Sequence, residues 1–164
     1  PTRVLPLIVK DMARERFKPV PAVYLFLYKE GNILLTRRYQ TGYEDGKYMV
    51  PSGHVEAGES LCSAVMRETM EEVGLSVRPE DLRLAYVMYR APHDETGTRS
   101  DFFFTAERCT GEPRNREPEK CDEVGWFPAD NLPENTVVYL RHAIEHARKG
   151  GMFCDWGWND TAMV

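Results

Sequence analysis

A chain of 164 residues, 42% hydrophobic and 29% charged, has the size and composition of one globular domain with enough material for a full core. Its formal net charge of −5 argues against a surface built to neutralise a nucleic-acid backbone. Its longest apolar runs, Val4 to Val9 and Ala22 to Tyr28, fall far short of the roughly 20 residues of a membrane helix, so neither a stable nucleic-acid complex nor a membrane partner is expected.

In chain order, Asp11, Arg14, Glu15 and Arg16 crowd in behind the first apolar run, a pattern unlike a secretory leader. Val20 to Glu30 and Ile33 to Tyr39 are rich in Val, Tyr, Ile, Phe and Leu, and Gly31-Asn32 between them is a strong turn, so the two are predicted to form a hairpin. Extended residues Lys47 to Val50 lead into a glycine-punctuated loop, Pro51-Ser52-Gly53 to Gly58-Glu59. Ser60 to Val73 contains neither Gly nor Pro and closes on Gly74, which predicts a capped helix. Leu82 to Arg90 and Asp101 to Ala106 flank the turn-rich His93 to Thr98 and read as a second antiparallel pair. Cys109 to Cys121 is predicted to be a loop and Asp122 to Phe127 a short strand. Thr136 to Lys149 spaces Val137, Leu140 and Ile144 at helical intervals and ends before Gly150-Gly151. The aromatic tail Met152 to Trp158 is expected to pack within the chain or to serve a homodimer contact. No repeat or linker divides the chain, so one mixed α/β domain spanning residues 1–164 is predicted. Cys62, Cys109, Cys121 and Cys154 form no CxxC pair, which suggests reduced thiols in a cytoplasmic protein.

The first helix carries the chemistry. A helical residue turns about 100°, so Glu68, Glu71 and Glu72 project within one sector. A solvated acidic face would be the ordinary explanation, but Leu61, Ala64 and Val65 occupy the same sector one or two turns earlier. The acidic ridge therefore continues an apolar stripe, and a docked helix carries these like charges partly into the structure. A divalent cation relieves the repulsion, and oxygen-only carboxylate ligation suits Mg²⁺ or Mn²⁺. The preceding glycine-rich loop and helix N-terminus allow backbone groups to approach an anion.

Residues 53 to 75 resemble the Nudix box, G-x5-E-x7-R-E-U-x-E-E-x-G-U, through Gly53, Glu59, Arg67, Glu68, Glu71, Glu72, Gly74 and Leu75. Thr69 is the one departure, standing where an aliphatic residue is usual. The resemblance implies the Nudix α/β/α sandwich around a mixed, largely antiparallel-paired sheet. It also implies hydrolysis of a nucleoside diphosphate linked to another moiety, with Mg²⁺ required and Mn²⁺ as a substitute. The carboxylates at Glu68, Glu71 and Glu72 then bind metal, and Glu68 is the preferred general base. For Glu59 and Arg67, structural ion pairing and direct catalysis stay equally open.

Glu117-Pro118-Glu119-Lys120-Cys121 followed by Trp126-Phe127, together with Pro51-Ser52-Gly53-His54, resembles the branch of the family that cleaves nucleoside triphosphates to the monophosphate and pyrophosphate. Nucleotide sugars, dinucleoside polyphosphates and capped RNA are the alternatives, and a non-catalytic nucleotide-sensing module is the rival from another class. Glu119, ahead of Glu117, is the expected extra metal ligand. Phosphate contacts are expected from Arg37 or Arg38, of which alternation on a strand lets only one face inward, and from Gly53 and His54. Tyr43, Tyr48, Phe102, Phe104 and Trp126 are candidate base-stacking residues, with Tyr48 and Trp126 preferred, although most are expected to be core. His93, His142 and His146 show no ligand spacing.

Overall fold

The computed structural model describes residues 16–158; the Val4 to Val9 run and the residues before Arg16 lie outside them. Nine strands and two α-helices follow in the order β1 (Val20–Phe26), β2 (Tyr28–Lys29), β3 (Asn32–Arg38), β4 (Tyr48–Met49), β5 (Ser52–His54), α1 (Leu61–Val73), β6 (Leu82–Arg90), β7 (Arg99–Ala106), β8 (Cys121–Pro128), α2 (Val138–Arg148) and β9 (Phe153–Trp156). Among these residues no helix is long and apolar enough to cross a membrane. None of the four cysteines is in a disulfide.

The strands form two sheets. The larger runs β5-β1-β7-β6-β9, with β1 parallel to β7 and β6 parallel to β9; in the smaller, β3 pairs with β2, β4 and β8. Strand alternation then splits the core in two. Ala22, Tyr24 and Phe26 of β1 pack with Leu140, Ala143 and Ile144 of α2, whereas Val23, Leu25 and Leu27 pack with Ala64, Val65 and Val73 of α1. Each helix buries an apolar stripe on an opposite face, which is the expected α/β/α sandwich.

The predicted first hairpin is corrected in its extent. Tyr28–Lys29 pair with β3, and the Leu34 amide donates to the Leu27 carbonyl at 3.0 Å, while Val20–Phe26 leave to pair in parallel with Arg99–Thr105 of β7. The turn falls one residue earlier than predicted, at Glu30 and Gly31, where both φ angles are positive at 51° and 78°, the sign that a tight two-residue hairpin turn requires. The second pair forms as predicted but is longer, from Leu82↔Ala106 to Arg90↔Arg99, with an irregularity at Ala85. The tail packs within the chain. Its residues Phe153–Trp156 add strand β9, and Trp158 stacks on Tyr89 with ring centroids 5.2 Å apart.

Helix α1 has the caps that the sequence announces. The Ser60 hydroxyl accepts a hydrogen bond from the Ser63 amide, and Gly74 closes the helix at φ 71°. Thr69 is 1% exposed, and its hydroxyl has no hydrogen-bond partner among the described residues. Thr69→Val keeps the shape and removes the unpaired hydroxyl, so stability measured by denaturant unfolding is expected to rise by about 1 kcal/mol; a loss would contradict the packing described.

Candidate active site

The predicted loop at residues 51–54 begins as an edge strand. Gly53 of β5 pairs with Val23 of β1, and the amide of Ser52 donates to Glu72 Oε2 at 3.1 Å. Helix α1 thus lies with its glutamates against the open edge of the larger sheet. The glycine at position 53 has a direct steric reason here. A Cβ on Gly53 would stand 2.1 Å from Glu68 Oε1, so only glycine lets that carboxylate lie against the strand. Gly53→Ala is expected to displace the Glu68 carboxylate, a flexible group, and so to cost turnover by tenfold or more while leaving the unfolding midpoint nearly unchanged, as read by kinetics and thermal melts in parallel.

The three helix glutamates are not equivalent. Glu68 and Glu72 continue the buried stripe of Ala64 and Val65, but Glu71 sits on its outer shoulder with 53% of its side chain exposed. Arg67 gathers the cluster. Its Nε and Nη2 donate to Glu59 at 2.9 Å each, Nη1 donates to Glu68 at 2.7 Å and to Glu71 at 3.2 Å, and Nη2 also reaches the His54 carbonyl at 3.1 Å. Glu59 is held below the ordinary carboxylate range by Arg67. Arg67 and Glu59 therefore form a paired scaffold that orders the loop and the helix.

Burial dominates the titration of the inner pair. It pushes the Glu72 carboxyl up to about 8, with Glu68 and Glu117 adding to the rise and the Ser52 amide and Arg38 opposing it. It also raises Glu68, against the opposing pull of Arg67. Two crowded carboxylates that resist ionisation in the absence of a counter-charge are the donor set a hard divalent cation would stabilise. Among the described residues no three acidic or imidazole groups converge as they stand on one ligating point, because Arg67 draws Glu68 and Glu71 and Lys120 draws Glu117.

Glu117, rather than the preferred Glu119, faces this pair. The amides of Arg114 and Arg116 donate to the otherwise unpaired carbonyls of Val73 and Glu72 at the end of α1, at 2.9 and 3.0 Å. That docks the loop before β8 onto the helix, and Asn115 Oδ1 accepts from the Glu117 amide at 3.1 Å. Glu117 then lines a small hollow of about 180 Å³ with Glu72, Arg38, Ser52 and Lys120, while Glu119 is solvent-exposed.

A larger cleft of about 590 Å³ opens beside it. Its floor is Ala22, Tyr24, Met49 and Tyr139; Tyr43, Gly53, His54, Asp94, Thr96 and Arg99 form its walls, and Arg38 lines both spaces. Arg37 is occupied by Asp122 at 2.7 Å and Glu123 at 3.3 Å. Arg38 instead donates to the Tyr43 carbonyl at 2.6 Å and Thr41 Oγ1 at 2.9 Å, and has no carboxylate in ion-pair contact among the described residues. His54 lines the cleft with its Nε2 2.9 Å from Arg99 Nη1, and burial followed by the Arg99 charge lowers its pKa.

The stacking candidates fare differently. Tyr48 is 7% exposed, packs edge-on against Phe127 and donates to Glu123, so it belongs to the core. Trp126, Phe102 and Phe104 pack in the cluster beneath α1. Only Tyr43 of the five lines the cleft. Tyr24, Tyr139 and Arg99 were not foreseen; a tyrosine in an alternating strand or at a helix start carries no mark of the face it will occupy. His142 and His146 stack on each other on α2, and His93 lies edge-on to Tyr43.

Comparisons with known proteins place this geometry in a family. The chain is 34% identical over 123 residues to the NAD-capped RNA hydrolase NudC of Salmonella heidelberg (strain SL476), covering 73% of this chain and 44% of that protein. It is 35% identical to the NAD-capped RNA hydrolase NudC of Chromobacterium violaceum over 78% of this chain and 47% of that protein. The chain thus spans less than half the length of these curated relatives. Among solved structures, the MutT NUDIX hydrolase of Burkholderia pseudomallei superposes with a TM-score of 0.69 at 29% identity, covering 79% of this chain and 98% of that one. The MutT protein of Methanosarcina mazei Go1 gives 0.68 at 25% identity, covering 83% and 98%. The model of the NUDIX domain matches residues 18–147, and with the box residues arranged around Gly53 and Arg67 as described, the chain belongs to the NUDIX family.

Proposed function

We propose that the protein is a divalent-metal-dependent pyrophosphohydrolase of a nucleotide derivative, with a nucleoside triphosphate as its leading substrate. The observation that carries this reading is the inner pair, Glu68 and Glu72, half-buried against the open edge of β5 with Glu117 facing them across a small hollow. Glu68, Glu72 and Glu117 would hold the ions, with Glu71 available at the rim. When bound, Mg²⁺ or Mn²⁺ supplies charge neutralisation of the polyphosphate and a more acidic attacking water.

The chain's own groups account for the rest. Arg38, without a carboxylate partner and lining both hollow and cleft, receives phosphate oxygens and fixes the chain of phosphates along the site. Glu68 accepts the proton of the attacking water. Burial raises its proton affinity, and Arg67, by engaging one of its oxygens, fixes the orientation of the carboxylate at the site. Water adds to a phosphorus, the bridging oxygen leaves with pyrophosphate, and the nucleoside monophosphate remains. Arg67 and Glu59 position Glu68 and need not touch substrate. The cleft beyond Arg38 has the volume and mixed lining of a small-ligand site and receives the nucleoside.

A second reading has one observation in its favour: the curated relatives are described as NAD-capped RNA hydrolases. On that reading the scissile bond is the pyrophosphate of a dinucleotide, and the same glutamates and Arg38 serve it. A panel of nucleoside triphosphates, NAD⁺, ADP-ribose and NAD-capped RNA with Mg²⁺ separates the two. Release of pyrophosphate from a triphosphate supports the first reading. Cleavage of NAD⁺ or capped RNA with no triphosphate turnover replaces it with the second.

A further inference from the structure

We infer that the hydroxyl of Tyr43 is the specificity-determining contact for the nucleobase, an inference that rests on the reading of the cleft as a nucleoside site. Three observations converge on it. Tyr43 lines the cleft, and its hydroxyl is buried without a hydrogen-bond partner among the described residues. Such a group loses its hydration without compensation unless a ligand supplies a partner.

The loop that carries it, between β3 and β4, is a built structure. The backbone amides of Thr41 and Gly42 donate to Asp45 at 3.0 and 2.9 Å, and the guanidinium of Arg38 lies over the Tyr43 ring at 5.4 Å. Backbone strain is concentrated there: Gln40 and Glu44, neither of them glycine, hold φ at 51° and 52°. Non-glycine residues held in this sparsely populated region cluster where function demands a particular presentation. The Tyr43 ring is also held edge-on against His93, with ring centroids 6.4 Å apart.

The position of Tyr43 relative to Arg38 says what it reads. Arg38 stands at the junction of hollow and cleft, and Tyr43 lies on the cleft side only. A ligand with its phosphates on Arg38 therefore brings its nucleoside to Tyr43. A phenol both donates and accepts, so it can read a carbonyl or an amine on the base edge, and its ring offers the flat contact a base requires.

The test is Tyr43→Phe, which keeps the ring and removes the oxygen. Binding of the four nucleoside 5′-(α,β-methylene)triphosphates and of inorganic tripolyphosphate is measured by calorimetry with Mg²⁺, and thermal unfolding is measured without ligand. The variant is expected to bind its best nucleotide roughly tenfold more weakly, the scale of one neutral hydrogen bond in a dry site. Tripolyphosphate affinity should be unchanged, and the ligand-free protein should melt at a higher temperature because an unpaired buried hydroxyl is gone. Unchanged nucleotide affinity overturns the inference. An equal loss for tripolyphosphate also overturns it, since Tyr43 would then act by holding Arg38. A wild-type protein that binds no nucleotide more tightly than tripolyphosphate removes the nucleoside reading of the cleft itself, a failure visible before any variant is made.

Discussion

Glu72→Gln is expected to reduce turnover by about 10³-fold or more, the rate equivalent of several kcal/mol of lost charge stabilisation at the reacting phosphate, while the fold survives. The same substitution should make the metal-free protein more stable at pH 8, which separates this account from one in which Glu72 is structural. The sign follows from burial. The Glu72 carboxyl lies near 8 instead of its ordinary 4.5, so the folded chain keeps a proton that the unfolded chain has lost across that window. Metal-free stability therefore falls as pH rises from about 4.5 through about 8, and glutamine removes that slope. Because Glu72 is in partial contact with solvent, the gain at pH 8 is on the order of 2 kcal/mol, well under the full value of so large a shift. Denaturant unfolding with and without Mg²⁺ at several pH values reads it. A variant that is less stable at pH 8 without metal, or one that turns over at the wild-type rate, contradicts the assignment.

Arg90→Leu is expected to have the largest effect on stability. Arg90 is 2% exposed and Asp101 0%, and Arg90 Nε donates to Asp101 Oδ2 at 2.7 Å while its guanidinium stacks over Tyr139 at 4.0 Å. Leucine would leave a fully buried carboxylate with only the Tyr24 hydroxyl, at 3.3 Å, for company. Breaking one side of a buried pair costs about 3–5 kcal/mol, or roughly 10 °C in the melting temperature for a chain of this size. Arg90→Leu with Asp101→Leu should recover much of that loss, because the penalty belongs to the stranded charge. A single variant within about 1 kcal/mol of wild type would contradict the burial described. The pair also supports the cleft, since Tyr24 and Tyr139 are at once its contacts and the cleft floor.

Helix α1 was legible because its signals are local: Ser60 and Gly74 at the ends, an apolar stripe that turns acidic, and a glycine six residues before Glu59. The pair β6 and β7 was legible for the same reason, as two strand-like runs around a turn. Partner choice was not. Val20 to Glu30 reads as one strand from its composition, yet the chain breaks at Leu27 and the first part pairs with β7, more than seventy residues away, a long-range choice that composition does not carry. That Glu117, and not Glu119, faces the hollow was illegible for a similar reason. What turns Glu117 inward is the docking of Arg114 and Arg116 amides on the end of α1, a contact made by backbone and silent in side-chain chemistry. Tyr48 and Trp126 looked like stacking residues because aromatic type does not distinguish a core ring from a cleft ring. Arg90, at the end of β6, and Asp101, near the start of β7, share their strands with Arg83 and Arg99 and carry no mark of burial in the sequence; only the register of β6 on β7 makes them neighbours.

The measurement that tests the central claim most directly is a crystal structure of the protein with Mn²⁺ and a nucleoside 5′-(α,β-methylene)triphosphate, with manganese located by its anomalous signal. Manganese is expected within about 2.2 Å of Glu72 and Glu68 oxygens, with Glu117 turned from Lys120 to the metal and phosphate oxygens completing its shell. Manganese absent from these carboxylates, with the analogue's phosphates bound elsewhere, would contradict it.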